Sequence, residues 1–384
     1  MKHASRRAVL ATGLSVPGLA RAQTAAPGPP PLRVLVAAES PDPLRQVVRD
    51  FGMERLGGIT VAAAPPTSIG GPFAAGTLAG QALADVVLTD NVGLVLGAVQ
   101  QIWQPLPEQL REMGGSLMAR RNGLMLPLAG EIATVVSAAP GGPLLLHRTA
   151  QMPRAPNNAT ALMDFARERP RRFLYPRPGE SLLGLQFVSA LPYLLNDADP
   201  KDPVNGWERS WAFLAEIGEY VSFYASSSAA AVDELASGRC DLLPAILTTY
   251  LRERANARLP AEVGFTLFDD GPLVPLGLFL TVPRPVLGQR LPMIGELADF
   301  LLRPEIQRVG FGAGLLPGAA AELGVAADGL LTPAERAAWD VLLPPITAES
   351  VAAKPLVPPL TPLKLAYMLQ RWDEQIGARF RRPR

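Results

Sequence analysis

The chain has 384 residues with 36 basic and 35 acidic side chains, which gives a formal net charge of +1. A chain of this length can bury one large or two medium cores, so its stability needs neither disulfides nor a structural metal. One cysteine (Cys240) and two histidines (His3 and His147) argue against cysteine-based zinc sites, His-rich metal sites and most Ser-His or Cys-His hydrolases. We therefore expect no catalytic residue, no metal and no cofactor. The near-neutral charge also argues against nucleic-acid binding.

Residues 1–22 have the features of an export signal, with a basic start, a mildly apolar centre and an A-x-A cleavage site ending at Ala22. The segment SRRAVL, which contains Arg6 and Arg7, resembles a twin-arginine motif; an ordinary secretory signal is the alternative. This stretch has four basic residues and no acidic one, so the rest of the chain carries a net charge of −3. We expect a soluble periplasmic protein in which residues 23–31 form a Pro-rich tether.

Short apolar runs and amphipathic stretches alternate along the rest of the chain. Extended segments are predicted at 32–37, 59–64, 84–88, 124–129, 131–138, 172–175, 220–224, 241–245, 265–269 and 277–282. Helices are predicted at 42–56, 92–101, 160–168, 181–195, 207–217, 229–237, 248–257 and 291–302. This alternation is typical of an α/β protein with a largely parallel sheet. Two crossings, near residues 126–138 and 270–282, would join two α/β blocks and form a hinge.

Four segments carry a resemblance to a known family. Residues 160–195 contain ALMDFA followed by RPRRF, which is similar to a helix–NPGRF–strand passage, and residues 233–241 (DELASGRCD) follow an L-x-x-G-x-x-D turn. Residues 298–307 (ADFLLRPEIQ) are similar to a FLLSPEAQ helix, and residues 103–106 match W-x-P-L. In this order, over most of residues 32–315, the chain resembles the periplasmic substrate-binding proteins of ABC importers. The similarity is to the two-lobed class that includes polyamine, iron, thiamine and sulfate binders.

The resemblance implies the type 2 periplasmic-binding-protein fold, in which each lobe has a central mixed sheet flanked by helices and two strands form the hinge. Lobe one would comprise residues 32–127 and 275–384, and lobe two residues 128–274. The implied function is capture of a small ligand between the lobes and its delivery to an ABC transporter permease in the inner membrane. The protein would be a monomer and not an enzyme.

Ligands of open parallel sheets bind at the carboxyl ends of the strands, beside helix N-termini. That rule selects the loops after the first and third strands, the loops before the helices at 181–195 and 229–237, and the return crossing. The candidate ligand-binding residues are Glu39, Ser40, Asp90, Asn91, Arg177, Glu180, Ser181, Ser226, Ser227 and Asp269. Ordinary structural roles compete at each position, because Asp90 and Ser181 also suit helix N-caps and the Asp269 segment also suits a turn.

The sequence alone does not determine whether the ligand is positively or negatively charged. Carboxylates at Glu39, Asp90 and Asp269 favour an organic cation such as a polyamine or thiamine. The serines before 229–237, with Arg177 and helix N-termini, would instead suit an oxyanion. The sequence is also compatible with a secreted hydrolase that uses paired carboxylates, and with a binding protein that serves as a sensor.

Overall fold

The computed structural model describes residues 30–39, 41–54, 58–81, 83–113, 119–303, 306–307, 333–343 and 345–380. The predicted export signal, nearly all of the predicted tether and Ser40 lie outside these residues. None of the helices described is long and apolar enough to cross a membrane.

Within the described residues, eight strands form two mixed or antiparallel sheets. The strands are β1 (Leu32–Ala37), β2 (Ile59–Ala64), β3 (Val86–Thr89), β4 (Ala133–Gly142), β5 (Leu144–Arg148), β6 (Leu242–Ala245), β7 (Val263–Leu267) and β8 (Val274–Thr281). The five-stranded sheet has the order β2-β1-β3-β8-β4, and the three-stranded sheet has the order β6-β5-β7. The expected parallel pairing holds for β1, β2 and β3, whereas β8 is antiparallel to both its neighbours and β5 is antiparallel to β6 and β7.

Helices cover the sheets and connect their strands. They are α1 (Pro41–Glu54), α2 (Gly71–Leu78), α3 (Asn91–Val99), α4 (Glu108–Arg111), α5 (Ala119–Ala129), α6 (Ala159–Glu168), α7 (Leu182–Leu194), α8 (Glu208–Ile217), α9 (Ser228–Ala236), α10 (Leu247–Ala255), α11 (Leu291–Leu302), α12 (Pro333–Leu342), α13 (Pro345–Ala352) and α14 (Pro362–Gln375).

Residue periodicity explains which faces of these elements are buried. In α1 the apolar residues Leu44, Val47, Val48 and Phe51 recur at helical spacing and are all buried. They pack with one face of the five-stranded sheet and with α11, and they form a core of their own. The opposite face of that sheet joins a larger core, which also contains the three-stranded sheet and α7. Helix α7 is buried along nearly its whole length, which places it at the centre of the molecule.

The chain passes twice between the two sheets. The first passage is short, because β4 ends at Gly142 and β5 begins at Leu144. The second passage lies between the end of β7 at Leu267 and the start of β8 at Val274. Strand β4 pairs with β8 in the five-stranded sheet, although its residues fall within the predicted lobe two. The residue boundaries proposed for the lobes stay a prediction.

Several predicted elements differ from the structure. Residues 124–129 belong to helix α5 and are not extended. Residues 172–175 and 220–224 form no strand; the first segment contributes one isolated bridge, from Phe173 to β6. The apolar run of β5 is a strand that the sequence does not predict, because the basic end of LLLHR suggests a loop.

The C-terminal helix α14 contacts helix α3 and two aromatic residues from the middle of the chain, Tyr175 and Tyr224. It packs on α3, which follows β3 of the five-stranded sheet. Its Trp372 is fully buried, donates a hydrogen bond from Nε1 to the Tyr175 hydroxyl at 3.2 Å, and lies edge-on to Tyr224 at 4.9 Å between ring centroids. Trp372, Tyr175 and Tyr224 form an aromatic cluster that anchors helix α14.

We predict that Trp372→Ala lowers the free energy of unfolding by about 3–5 kcal/mol, because it empties a buried site among other aromatic rings. Urea denaturation followed by circular dichroism measures this change. Tyr367→Ala is the matched control on the same helix, since that side chain is 37% exposed; its effect should be below about 1 kcal/mol. Equal effects of the two substitutions would contradict the anchoring role.

Candidate functional site

Glu39 and Asp90 lie side by side because they follow neighbouring parallel strands. Strands β1 and β3 pair in register up to their last residues, so their carboxyl ends meet at one edge of the sheet. The backbone N–H of Glu39 donates to Asp90 Oδ2 at 3.2 Å. Asp90 is also the N-cap of α3, and its Oδ1 accepts from the backbone N–H groups of Val92 and Gly93 at 3.0 and 3.2 Å. The capping role and the position at the strand ends are therefore both observed.

The carboxylate of Glu39 reaches the first residues of two other helices. Its Oε1 accepts hydrogen bonds from the backbone N–H of Leu182 in α7 and from Ser228 Oγ in α9, each at 2.6 Å. Ser181 is the N-cap of α7, accepts from Leu183 N–H at 3.1 Å, and has its hydroxyl 2.5 Å from that of Ser228. Exposed N–H groups and the helix dipole both favour a negative charge at this point.

Burial of these two acids changes their acidity. Burial raises the pKa of Glu39, although the bonds from Ser228 and Leu182 and the charge of Arg252 oppose the rise. Burial, with the negative charge of Glu39 as the second cause, raises the pKa of Asp90 to about 7. Glu39 Oε2 is buried and has no hydrogen-bond partner among the residues that the structure describes. The site therefore holds one carboxylate oxygen that can still accept a hydrogen bond.

A pocket surrounds the two carboxyl groups and is lined by strand β8, by the residues that follow β1 and β3, and by helices α1, α7 and α10. Its lining consists of Ala38, Glu39, Leu44, Asp90, Leu182, Ile246, Thr248, Arg252, Leu276, Gly277 and Leu278. The walls are mostly apolar, with the polar groups converging from β1, β3 and α10. The guanidinium of Arg252 binds Glu253 at 2.9 Å, so its positive charge is already balanced by a neighbouring carboxylate.

Asn91 is used to hold strand β8 rather than to line the pocket. Its Oδ1 accepts from Gly277 N–H at 2.7 Å, and its Nδ2 lies 3.5 Å from the Pro275 carbonyl oxygen. Gln186 in α7 donates to the same carbonyl at 3.4 Å. Side chains from α3 and α7 thus meet on β8 beside the second passage between the sheets.

Two of the predicted residues are tied to distant parts of the chain. Arg177 Nη1 lies 3.3 Å from Asp373 Oδ1, which joins it to helix α14. Asp269 is exposed and accepts a hydrogen bond from the side chain of Asn157. Neither lines the pocket. These partners are more than a hundred residues away in the sequence, and no local pattern indicates them.

Three further predicted residues, Glu180, Ser226 and Ser227, do not line the pocket, and Ser40 lies outside the described residues. Ser227 is the N-cap of α9, where its Oγ accepts from Ala230 N–H at 3.1 Å. Ser226 is exposed, and the backbone N–H of Glu180 donates to the Arg177 carbonyl at 3.1 Å. The structure brings together Glu39, Asp90 and Ser181 from the predicted set; their binding of a ligand stays a prediction.

Sequence reasoning misses several residues of the site. Ser228 is expected in the loop, whereas it is the first residue of α9 and binds Glu39 directly. Ile246 and Thr248 follow β6, so the strand-end rule finds them when it is applied to that strand as well. Arg252 lies more than a turn inside α10, and no strand-end signal points to it.

The described residues contain no group of three or more His, Cys, Asp or Glu side chains arranged to hold a metal ion. Burial raises the pKa of the Cys240 thiol to about 12, so this cysteine is not a thiolate at neutral pH. The histidine described, His147, is buried on β5 with Nε2 3.1 Å from Thr266 Oγ1, and burial lowers its pKa. His147 therefore lies in a packed strand, whereas the sequence suggests a loop at this position.

No protein-family model matches the sequence. No curated protein matches it either. Solved structures do match: an ABC transporter substrate-binding protein from Bradyrhizobium japonicum shares 17% identity over 91% of this chain and 100% of its own, with a TM-score of 0.63. The spermidine/putrescine ABC transporter substrate-binding protein of Streptococcus pneumoniae shares 12% identity over 91% of this chain and 99% of its own, with a TM-score of 0.61.

A periplasmic binding protein from Actinobacillus pleuropneumoniae, with fructose-6-phosphate bound, shares 12% identity over 90% of this chain and 98% of its own, with a TM-score of 0.61. The chain has the type 2 periplasmic-binding-protein fold. The expected two-lobed α/β architecture with mixed sheets flanked by helices is thereby confirmed. The pocket around Glu39 lies beside β8 of the five-stranded sheet, and Ile246, directly after β6 of the three-stranded sheet, also lines it.

We predict that Asp90 makes folding depend on pH in a way that Asp90→Asn removes. A carboxyl group whose pKa rises from 3.8 to about 7 on folding stabilises the protein below pH 4, and this contribution is lost as the pH rises through 7. The melting temperature of the wild type should therefore fall relative to that of Asp90→Asn between pH 4 and pH 8. Asp42→Asn, at an exposed position in α1, is the control. A constant difference across this pH range would contradict the burial of an acid at position 90.

Proposed function

We propose that the protein is an extracytoplasmic solute-binding protein that captures a small ligand between its two lobes and delivers it to an ABC transporter permease. The fold supports this proposal, because the solved structures that share it include substrate-binding proteins of ABC transporters. The pocket supports it as well, since it combines mostly apolar walls with a few converging polar groups, as ligand sites commonly do.

The observation that carries the proposal is the buried Oε2 of Glu39. A carboxylate oxygen buried without a hydrogen-bond partner is costly, and a structural role alone does not account for it. It belongs to a pocket residue at the carboxyl end of β1, where ligands of open α/β sheets bind. A donor on the ligand would satisfy this atom and so contribute to affinity.

We propose further that the ligand carries a positive charge, as an amine or another organic cation does. Glu39 and Asp90 supply two carboxyl groups, and the charge of the nearby Arg252 is balanced by Glu253. A cation would lower the electrostatic cost of burying both acids. A spermidine/putrescine-binding protein is among the structures with this fold, which is consistent with such a ligand.

An oxyanion is the second ligand class that the sequence leaves open. The N-termini of α7 and α9 offer Leu182 N–H and the hydroxyl of Ser228, and a protein of the same fold holds a sugar phosphate. Both donors are already used by Glu39 Oε1. An anion at this position would have to displace a carboxylate of the protein itself, so we favour the cation.

Ligand binding without catalysis is the role we propose for this site. Both oxygens of Asp90 accept backbone N–H groups, which fixes the side chain as a cap and leaves it poorly placed as an acid or a nucleophile. The three solved structures of the same fold compared with this chain are binding proteins. A paired-carboxylate hydrolase would need both acids free to reach a substrate, and Asp90 is held by its cap bonds.

We propose that the protein works in the periplasm as a monomer and that residues 1–22 direct its export. The solved relatives of this fold include periplasmic binding proteins, which supports this location. By analogy, the fold favours delivery of the ligand to a permease in the inner membrane over signalling to a sensor kinase.

We predict that spermidine, putrescine or thiamine raises the melting temperature of the purified protein, while sulfate, phosphate and citrate do not. A ligand present at about 100 times its Kd stabilises a protein by about 2.7 kcal/mol, which a thermal-shift assay detects readily. Asp90→Asn should weaken the response, because it removes one of the two acids. Asp269→Asn, outside the pocket, should leave it unchanged. Stabilisation by anions alone would contradict the proposed ligand class.

We predict that replacing Arg6 and Arg7 with lysine stops export and leaves the unprocessed chain in the cytoplasm, since a twin-arginine signal depends on both guanidinium groups. Cell fractionation and immunoblotting of the host measure this distribution. Lys2→Arg serves as the control for the basic start of the segment. Normal export of the double-lysine variant would instead indicate the ordinary secretory route.

A further inference from the structure

The Glu39 carboxylate joins elements that are far apart in the sequence and belong to different sheets. Glu39 follows β1 of the five-stranded sheet, whereas its partners Leu182 and Ser228 begin helices α7 and α9. Both helices pack on β6 of the three-stranded sheet, while α7 also contacts β4 and β8 of the five-stranded one. The two hydrogen bonds of Oε1 therefore cross the pocket from one lobe's strand end to helix N-termini beside the other sheet.

These two bonds are of a strong kind. Both distances are 2.6 Å, and hydrogen bonds to a carboxyl group are roughly twice as strong as neutral ones when that group is ionised. The cap of α7, Ser181, accepts from Leu183, so the N–H of Leu182 is one of the donors that a helix leaves free at its start. Glu39 thus supplies an acceptor that α7 does not obtain from its own N-cap.

The second oxygen of the Glu39 carboxylate, Oε2, differs from Oε1 in its hydrogen bonding. Within the described part of the chain, Oε2 is buried without a hydrogen-bond partner, although Oε1 accepts two bonds. A ligand donor that reaches Oε2 removes the cost of its isolation only while the Oε1 bonds keep the carboxylate in place. Such a ligand has a higher affinity for the arrangement in which these bonds are formed, and it shifts the population toward that arrangement.

We infer that Glu39 couples closure of the cleft to ligand binding: Oε1 latches the end of β1 to the starts of α7 and α9, while Oε2 binds the cationic group of the ligand. The latch stands on the observed hydrogen bonds alone. The role of Oε2 rests on the proposed function, because it requires a ligand with a hydrogen-bond donor.

The latch is tested by distance measurements between the lobes in purified protein to which no ligand is added. Spin labels on Met53→Cys in α1 and Glu168→Cys in α6, both exposed positions, report the separation in a Cys240→Ala background. We expect a population at short distance with Glu39 intact, which ligand increases, and a smaller one, with longer distances, in Glu39→Ala. Asp42→Ala, an exposed acid in α1, should leave the distribution unchanged. Identical distributions for Glu39→Ala and the parent would overturn the latch.

Two milder variants separate the roles of the two oxygens. Glu39→Gln keeps an acceptor for Leu182 and Ser228 but places an NH₂ group where Oε2 stood, so it should keep the short distance. Its affinity for spermidine or thiamine, measured by calorimetry, should fall about tenfold or more, because a bond to a charged group is lost. Ser228→Ala removes one latch bond, so it should lengthen the distance, and added ligand should restore it.

The outcomes distinguish the latch from the proposed ligand class. If none of spermidine, putrescine and thiamine binds the wild type, the ligand class is wrong, while the distances of Glu39→Ala and Ser228→Ala still decide the latch. If Glu39→Gln binds these probes as tightly as the wild type, the role of Oε2 is overturned. Cooperative thermal unfolding of each variant, followed by circular dichroism, confirms that its distances come from folded protein.

Discussion

The antiparallel pairing of β8 between β3 and β4 is the constraint on which the cleft depends. Strand β8 begins where the chain returns from the three-stranded sheet, and it then runs through the five-stranded one. Its first half supplies a wall of the pocket at Leu276, and its backbone is held by Asn91 from one side and Gln186 from the other. Because α3 and α7 both bind this strand, the ends of β1 and β3 face the start of α7 at short range.

Within that frame the site brings a buried carboxyl group, Asp90, next to a half-buried one, Glu39. Burying two carboxyl groups next to each other is unfavourable, and the protein offsets part of the cost with five donors, namely Leu182 N–H, Ser228 Oγ and the backbone N–H groups of Glu39, Val92 and Gly93. The remaining cost is expressed in the raised pKa values of Glu39 and Asp90. Residues with strongly perturbed pKa values often mark functional sites, and here the perturbation and the pocket coincide.

The sequence predicts most of the fold but, among the residues that line the pocket, only Glu39 and Asp90, and the difference has a physical cause. Apolar runs and helix caps are local signals, so they predict β1, β2, β3 and the start of α7, and the strand-end rule then selects Glu39 and Asp90. Arg177 is expected at the cleft but is held by Asp373, which lies 196 residues away. Arg252 enters the pocket because helix α10 carries it there after more than one turn. Neither contact has a local signature, since tertiary packing alone determines it.

Three contacts join the elements around the cleft: the aromatic cluster of Trp372, the pairing of β8, and the hydrogen bonds of Glu39. They differ in the free energy needed to break them. Separating Trp372 from Tyr175 and Tyr224 would expose large aromatic surfaces, and releasing β8 would break backbone pairing. The bonds of Glu39 to α7 and α9 are different, because water can solvate both the carboxylate and its donors once they part. Their net free energy is therefore small although each bond is strong. A contact of this kind suits the latch that we propose, because it can break without separating the aromatic cluster or the pairing of β8.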